Sequence, residues 1–187
     1  MSDAVSVLLG ARVDGPVTVE DAGLCGMIVL RGDLSSPAFK AACTEILGAG
    51  VPEALGSTVA GDRAVLWMST DEVLVLAPFA EASALTASLA EALEGTHHLV
   101  ADVSDARAVL RLTGGALRET LARLTPADVA PASFPPGMVR RTRLAQSAAA
   151  IRMVSDNEAE VYCFRSVARY VMDILANAAQ GRPLGLF

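Results

Sequence analysis

An internal repeat constrains the fold of this 187-residue chain more than any other feature of its sequence. Val29-Leu30-Arg31 recurs 80 residues later as Val109-Leu110-Arg111, and Glu72-Val73 recurs 88 residues later as Glu160-Val161. Self-similarity of this kind indicates one structural unit written twice. We therefore look for the same order of strands and helices in both copies.

The first copy reads as β-α-β-β-α-β. "MIVLRG" at 27–32 is an apolar run of strand length, and after it Ser36 can cap a helix that has Pro37 at its first position. "AVLWMS" and "EVLVLAP" flank the turn-prone Thr70-Asp71 and predict a hairpin. The spacing of Leu85, Leu89 and Leu93 predicts a second helix, and "HLVADVS" predicts the closing strand.

The second copy begins near residue 106 with the strand "ARAVLRLTG" and the helix "GALRETLARL". Strands are predicted near 139–145, 148–154 and 159–165. A final helix is predicted with five residues facing the core: Val167, Tyr170, Val171, Ile174 and Leu175.

These patterns predict an α+β fold of duplicated split β-α-β (ferredoxin-like) units, with antiparallel sheets and helices on one face. The predicted boundaries are an N-terminal arm at 1–24, a first repeat at 25–104 and a second repeat at 105–187. The eight extra residues of the second repeat fit a Pro-rich insertion at 125–138. We expect one compact domain in which the two repeats share their core.

Composition limits the classes of protein to which the chain can belong. Hydrophobic residues make up 52% and charged residues 19%, which is typical of a globular domain. No apolar run reaches the roughly 18–20 residues of a membrane span, and Asp3 lies where a signal peptide needs basic residues. We therefore expect a soluble, cytoplasmic protein without a membrane partner.

Charge is distributed unevenly along the sequence. Residues 1–100 hold 4 basic and 13 acidic residues, whereas residues 101–187 hold 11 and 8, within a net charge of -6. An acidic chain with 4% aromatic residues is a poor match for nucleic acid. We expect no nucleic-acid partner.

Few residues favour chemistry within this chain. Cys25, Cys43 and Cys163 are widely spaced and predict buried thiols rather than disulfides or a metal knuckle. The adjacent His97-His98 would point to opposite faces of a strand, and Gly114-Gly115 lacks the other glycines or the lysine of a phosphate-binding loop. We therefore assign no catalytic, cofactor-binding or metal-binding residue to the chain.

The most distinctive local feature is a turn that leads into an arginine-rich strand. Phe134-Pro135-Pro136-Gly137 predicts a rigid turn, and in the strand that follows Arg141 and Arg143 share one face whereas Arg140 lies on the other. Three interpretations stay open: a face paired with the chain's own acids, a salt-bridged subunit interface, or an anion site. The candidate interface residues are Arg141, Arg143, Phe134, Pro135 and Pro136.

Several motifs in order resemble those of the gamma subunit of heterotetrameric sarcosine oxidase. They are "DRAVLWMSTDEVLVLAP", the Asp-x-Ser before an Arg-x-Val-Leu strand, the Phe-Pro-Pro-Gly turn, a Thr-x-Leu-Ala strand and an Arg-Ser-x-Ala helix start. The resemblance spans roughly residues 20–180. That family is similar to the folate-binding N-terminal part of glycine-cleavage aminomethyltransferases, and the resemblance implies the same duplicated fold.

The resemblance implies an accessory, non-catalytic subunit whose partners are the alpha, beta and delta subunits. It implies a heterotetramer that oxidatively demethylates sarcosine to glycine, with one-carbon transfer to tetrahydrofolate. The implied cofactors, carried by the other subunits, are FAD, FMN, NAD, tetrahydrofolate and zinc.

One departure from the folate-dependent relatives bears on this assignment. After the Thr-x-Leu strand they carry an acidic residue, whereas residues 147–150 here are Ser-Ala-Ala-Ala. A carboxylate would be needed there to anchor the pterin or to handle protons. The alternatives are a stand-alone folate-binding or aminomethyltransferase-like protein, or a small-molecule regulatory module.

Overall fold

The computed structural model describes residues 4–187 and divides them into two compact units. We call Cys25–Ser104 the central unit, and the residues up to Leu24 together with Asp105–Phe187 the flanking unit. In chain order the strands are β1 (Arg12–Val13), β2 (Thr18–Asp21), β3 (Gly26–Gly32), β4 (Ser57–Ala60), β5 (Arg63–Ser69), β6 (Glu72–Ala77), β7 (His98–Asp102), β8 (Arg107–Thr113), β9 (Val139–Leu144), β10 (Ser147–Ser155) and β11 (Glu158–Phe164). The helices are α1 (Pro37–Ala42), α2 (Ala82–Ala92), α3 (Leu117–Ala122) and α4 (Ala168–Ala179).

The central unit holds an antiparallel sheet with the strand order β4-β5-β6-β3-β7. Successive residues of a strand point to opposite faces, so alternate apolar residues of β3 and β6 contribute one face to a buried core. Ile28 and Val75 from these strands cluster there with Phe39 of α1 and Leu89 of α2. The helices therefore cover one face of this sheet.

Helix α1 begins as its sequence predicts. The Ser36 hydroxyl accepts a hydrogen bond from the Phe39 N–H at 3.2 Å, and Pro37 occupies the first turn. A π-helical turn at Cys43–Leu47 continues the helix. The chain leaves it at Gly48, whose φ of 71° is a left-handed conformation that glycine adopts without strain.

The flanking unit holds a second antiparallel sheet with the strand order β1-β2-β8-β11-β10-β9. One face of this sheet supplies Leu110, Ile151 and Val161 to a core shared with Leu121 near the end of α3 and Leu175 of α4. Both units are thus antiparallel sheets with helices packed on one face, which confirms the predicted fold class.

Strand register confirms the internal repeat. In the central unit Leu30 of β3 lies opposite Val73 of β6. In the flanking unit Leu110 of β8 lies opposite Val161 of β11. The repeats at offsets of 80 and 88 residues therefore mark equivalent strand pairs.

The N-terminal segment belongs to a sheet rather than forming a separate arm. β2 pairs with β8 over Thr18–Asp21, and β1 pairs with β2. Strand β7 occupies the corresponding place beside β3 in the central unit. The backbone groups along the edge of β8 need a partner, and β2 supplies it from the other end of the sequence.

Two further details differ from the sequence prediction. The polar strand β4 pairs with β5, although its sequence "STVA" carries little of the apolar alternation that marks a strand. Tyr170 was expected in the core, but its side chain is 44% exposed. Its neighbour Val171, which lies about 100° around the helix, is buried as predicted.

None of the helices in the described part of the chain combines the length and the apolar character that a membrane crossing requires.

Candidate subunit interface

In the Phe-Pro-Pro-Gly turn the two prolines are exposed and the phenylalanine is buried. Pro135 and Pro136 are exposed, and the Met138 N–H donates to the Pro135 carbonyl at 3.2 Å. Gly137 has a φ of +85°, a left-handed conformation that glycine adopts without strain, and its N–H donates to the Met153 carbonyl at 2.8 Å. The turn is thereby bonded to β10.

Phe134 is a core residue rather than the surface residue that an interface requires. Its side chain is fully buried in the core of the flanking unit, its carbonyl accepts from Arg118 at 3.0 Å, and the Arg140 guanidinium lies over its ring at 5.5 Å. A large aromatic ring gains more free energy in a core than at an exposed turn. Phe134 anchors the insertion 125–138 and is not available to a partner.

Arg141 and Arg143 lie together on one face of β9, as strand alternation predicts. Both side chains are exposed, and the residues opposite them on β10 are Ala150 and Ala148. Ala148, which lies opposite Arg143, offers no carboxylate to its guanidinium group across the sheet. Among residues 4–187, Arg143 forms no ion pair within 4 Å.

Arg140 has a different environment from its two neighbours. Its side chain is half-buried and donates to the Ser133 carbonyl at 2.7 Å, in addition to its contact with Phe134. β9 is an edge strand of the sheet. The exposed surface of this strand is therefore a pair of guanidinium groups, Arg141 and Arg143, beside the exposed Pro135 and Pro136.

The environments of the cysteine thiols fit a structural rather than a catalytic role. Cys43 and Cys163 are buried, Cys25 is half-buried, and none of the three forms a disulfide within residues 4–187. Burial raises the pKa of Cys43 to about 12 and that of Cys163 to about 11. Thiols with such pKa values are poor nucleophiles at neutral pH, because the thiolate is the reactive form.

The histidine pair lies beside an open depression of the central unit. His97 is exposed, whereas Nδ1 of the half-buried His98 lies 3.0 Å from the Thr96 carbonyl oxygen. Arg31, Asp71 and Leu99 also line this depression of about 460 Å³. Within residues 4–187, no three His, Cys, Asp or Glu side chains are grouped so that they could hold a metal ion.

Gly114 and Ser104 have structural explanations. A Cβ at Gly114 would lie 2.4 Å from the Pro16 carbonyl oxygen, so glycine allows the backbone before β2 to approach. The Ser104 hydroxyl accepts from the Met27 N–H at 3.0 Å and donates to Asp102 at 2.5 Å. These bonds tie the end of the central unit to its first strand.

One polar contact was not predicted from the sequence, and we call it the clamp. It is formed by Glu119 of α3 and by Arg123, the residue that directly follows this helix. Arg123 donates to the carbonyls of Ala178 and Arg182 at 2.6 and 2.8 Å. Glu119 accepts from three successive N–H groups, those of Leu184, Gly185 and Leu186, at 2.5, 2.6 and 2.9 Å. Such a run of amides makes an anion-binding concavity, and here the anion is a side chain of the same unit.

These amides also fix the charge state of Glu119. The N–H of Leu184 makes the largest contribution, and those of Leu186 and Gly185 together with the nearby Arg123 guanidinium add to it. Together they hold the pKa of the carboxyl below its usual range, against the opposing effect of burial. Glu119 therefore stays ionised at neutral pH and keeps the segment bound.

Known proteins resemble the chain in sequence. Residues 31–181 match the model of the "Sarcosine oxidase, gamma subunit family". The sarcosine oxidase subunit gamma of Corynebacterium sp. (strain P-1) is 36% identical over 70% of the chain, and that of Arthrobacter sp. is 35% identical over 64%. The matched stretches span 64% and 59% of the lengths of these two relatives.

Solved structures resemble the chain in fold. A chain of the heterotetrameric sarcosine oxidase from Corynebacterium sp. U-96, in complex with pyrrole 2-carboxylate, matches 93% of this chain and 91% of its own length, with a TM-score of 0.82 and 27% identity. The glycine cleavage system aminomethyltransferase T from Bartonella henselae shares the fold, at a TM-score of 0.57 and 16% identity, over 81% of this chain and 43% of its own. The family match covers well over half of the sequence, and the chain belongs to the sarcosine oxidase gamma subunit family.

Proposed function

We propose that the chain is an accessory, non-catalytic gamma subunit of a heterotetrameric sarcosine oxidase. The observation that carries this proposal is the match in fold and sequence to a chain of a heterotetrameric sarcosine oxidase over 93% of this chain. The side chains agree with an accessory role. Cys43 and Cys163 are buried with raised pKa values, and the polar contacts of Glu119 and Ser104 hold backbone in place.

The complex would be cytoplasmic and would oxidatively demethylate sarcosine to glycine, with one-carbon transfer to tetrahydrofolate. Its partners would be alpha, beta and delta subunits, which would carry FAD, FMN, NAD, tetrahydrofolate and zinc. Residues 147–150, Ser-Ala-Ala-Ala, support placing the folate site outside this chain, because alanine cannot bind a pterin through a carboxylate.

Within such a complex, we assign the exposed face of β9 to a subunit contact. Arg141 and Arg143 would pair with carboxylates of a neighbouring subunit, since both side chains are exposed on one face of an edge strand. Guanidinium groups suit this role because they bind carboxylates through two parallel hydrogen bonds. Pro135 and Pro136 would lie at the margin of the same contact.

Tetrahydrofolate binding separates the accessory role from a stand-alone folate-binding protein. We expect isothermal titration of the isolated chain with tetrahydrofolate to show no binding heat, and its thermal unfolding midpoint to stay unchanged at saturating ligand. A saturable heat with a raised midpoint would instead favour the stand-alone folate-binding protein, because a ligand that binds only the folded state stabilises it.

A further inference from the structure

The clamp holds a segment of the chain through its backbone alone. Arg123 contacts two carbonyl groups and Glu119 contacts three N–H groups between Ala178 and Leu186. Backbone groups are common to nearly all residues, so the clamp makes no contact with the side chains of the segment and constrains residue type only at Gly185, whose φ of 71° favours glycine. Whatever role those side chains have is separate from holding the segment in place.

Those side chains are large, apolar and exposed. Leu184, Leu186 and Phe187 are 69%, 64% and 51% exposed, which places them among the most exposed large hydrophobic residues in the described part of the chain. Single exposed apolar side chains are ordinary, but a close group of them marks an interaction surface. We call Leu184–Phe187 the apolar segment.

The clamp also reduces the cost of binding. A flexible segment loses conformational freedom when it binds, and this cost is subtracted from its affinity. Three hydrogen bonds from Glu119 already fix the backbone of residues 184–186, and a fourth from Arg123 holds the Arg182 carbonyl before them. Such charge-assisted hydrogen bonds are stronger than neutral ones. The apolar segment is therefore ordered before any partner arrives.

We propose that the apolar segment docks into an apolar groove on another subunit of the oxidase complex. The proposal rests on the accessory-subunit function, since membership of a gamma-subunit family provides other chains as partners. The buried anchors of protein interfaces are typically a few large apolar or aromatic side chains, and Phe187 with Leu184 and Leu186 supplies such a group within four residues. A second copy of this chain is the competing occupant.

The test compares two variants of the full chain, each co-expressed with the other three subunits. One carries Leu184→Ser, Leu186→Ser and Phe187→Ser. The matched control carries Leu9→Ser and Val59→Ser, which replace apolar residues of similar exposure elsewhere. The thermal midpoint of the isolated triple variant should equal that of the wild type, because the clamp binds backbone, while its affinity for the other subunits falls about tenfold or more. The control should assemble like the wild type.

A second variant separates the apolar side chains from the clamp that presents them. Glu119→Gln keeps all three side chains but removes the charge that the three N–H groups bind. We expect chymotrypsin to cleave this isolated variant faster than the wild type at 184–187, and we expect a smaller loss of affinity than in the triple variant.

The outcomes distinguish the two proposals. If the wild-type chain fails to join the complex, the accessory-subunit function is wrong. If the wild type joins and the triple variant joins equally well, the function stands and the docking proposal is overturned. If the isolated wild-type chain is a dimer and the triple variant is a monomer that still joins the complex, the segment binds a second copy and the assignment to another subunit is overturned.

Discussion

At the scale of single residues, the backbone around Gly114 leaves no room for a side chain. Its φ is +146°, and an added Cβ would lie 2.4 Å from the Pro16 carbonyl oxygen and 3.0 Å from the Val17 Cα. We predict that Gly114→Ala lowers the free energy of unfolding by at least about 2 kcal/mol, because strained dihedrals and a backbone clash combine.

The adjacent glycine is the matched control for this substitution. A Cβ at the exposed Gly115 would meet nothing within 4 Å, so Gly115→Ala should change the free energy of unfolding by about 0.5 kcal/mol or less. Urea unfolding of both variants measures the difference. If both substitutions lowered the free energy of unfolding equally, the close approach of the Pro16 backbone would not be the reason for glycine at position 114.

Glu119 makes the clamp dependent on pH. Its folded-state pKa lies below the unfolded value of about 4.3, so its stabilising effect is complete above that value and is lost as pH falls through the folded-state pKa. We predict that the thermal unfolding midpoint of Glu119→Gln lies below that of the wild type at pH 7. The difference between the two midpoints should decrease steadily once the pH drops under about 4.

The control for this pH dependence is Glu94→Gln, which alters an exposed glutamate outside the clamp. Its thermal midpoint should follow that of the wild type throughout the same pH series. A gap for Glu119→Gln that stayed constant from pH 7 to pH 3 would show that the ionised carboxylate is not what holds residues 184–186.

At the scale of the elements, β9 is the strand whose exposed face is assigned to a partner. Reversing both charges, with Arg141→Glu and Arg143→Glu, should leave the thermal midpoint of the isolated chain close to the wild-type value, because both side chains are exposed and exposed charges contribute little to stability. Assembly with the other subunits should weaken about tenfold or more, as expected when like charges meet across an interface.

Arg169→Glu provides the comparison, since Arg169 is an exposed arginine on α4. Pull-down of the other subunits at two salt concentrations would measure the effect. If the double charge reversal assembled as well as Arg169→Glu, β9 would not be a subunit contact.

The elements that the sequence predicted share a clear physical signal. Strands β3 and β8 and helix α2 carry apolar periodicities that their buried faces impose, and the repeated Val-Leu-Arg places β3 and β8 at equivalent positions. β2 and β4 carry little such signal. β2 holds its place through pairing with a strand some ninety residues away, and β4 is a short polar edge.

The same distinction applies to the candidate site. Strand alternation alone put Arg141 and Arg143 on one face. Phe134 lay next to two prolines and was expected at the surface, but the insertion folds back and buries it. The clamp could not be predicted, because Glu119 and Arg123 are spaced like an ordinary helical ion pair and their partners are backbone groups of residues 178–186.

At the scale of the whole molecule, the central unit is inserted between two parts of the flanking unit. Insertion requires that the two ends of the inserted unit lie close together. β3 and β7 meet this requirement by pairing side by side, and the Val103 N–H and Ser104 hydroxyl both bond to Met27. The two repeats therefore differ in the origin of one strand. Beside β3 of the central unit lies β7, which ends that unit, whereas beside β8 of the flanking unit lies β2, which comes from the N-terminal part of the sequence.

The central claim is that this chain is a structural subunit of a sarcosine oxidase. Co-expression with the alpha, beta and delta subunits, followed by size-exclusion chromatography and a sarcosine oxidation assay, tests it most directly. We predict one complex that contains this chain in equal stoichiometry, and loss of that complex and of its activity when the chain is omitted. A fully active assembly of the other three subunits, with this chain eluting separately, would contradict the claim.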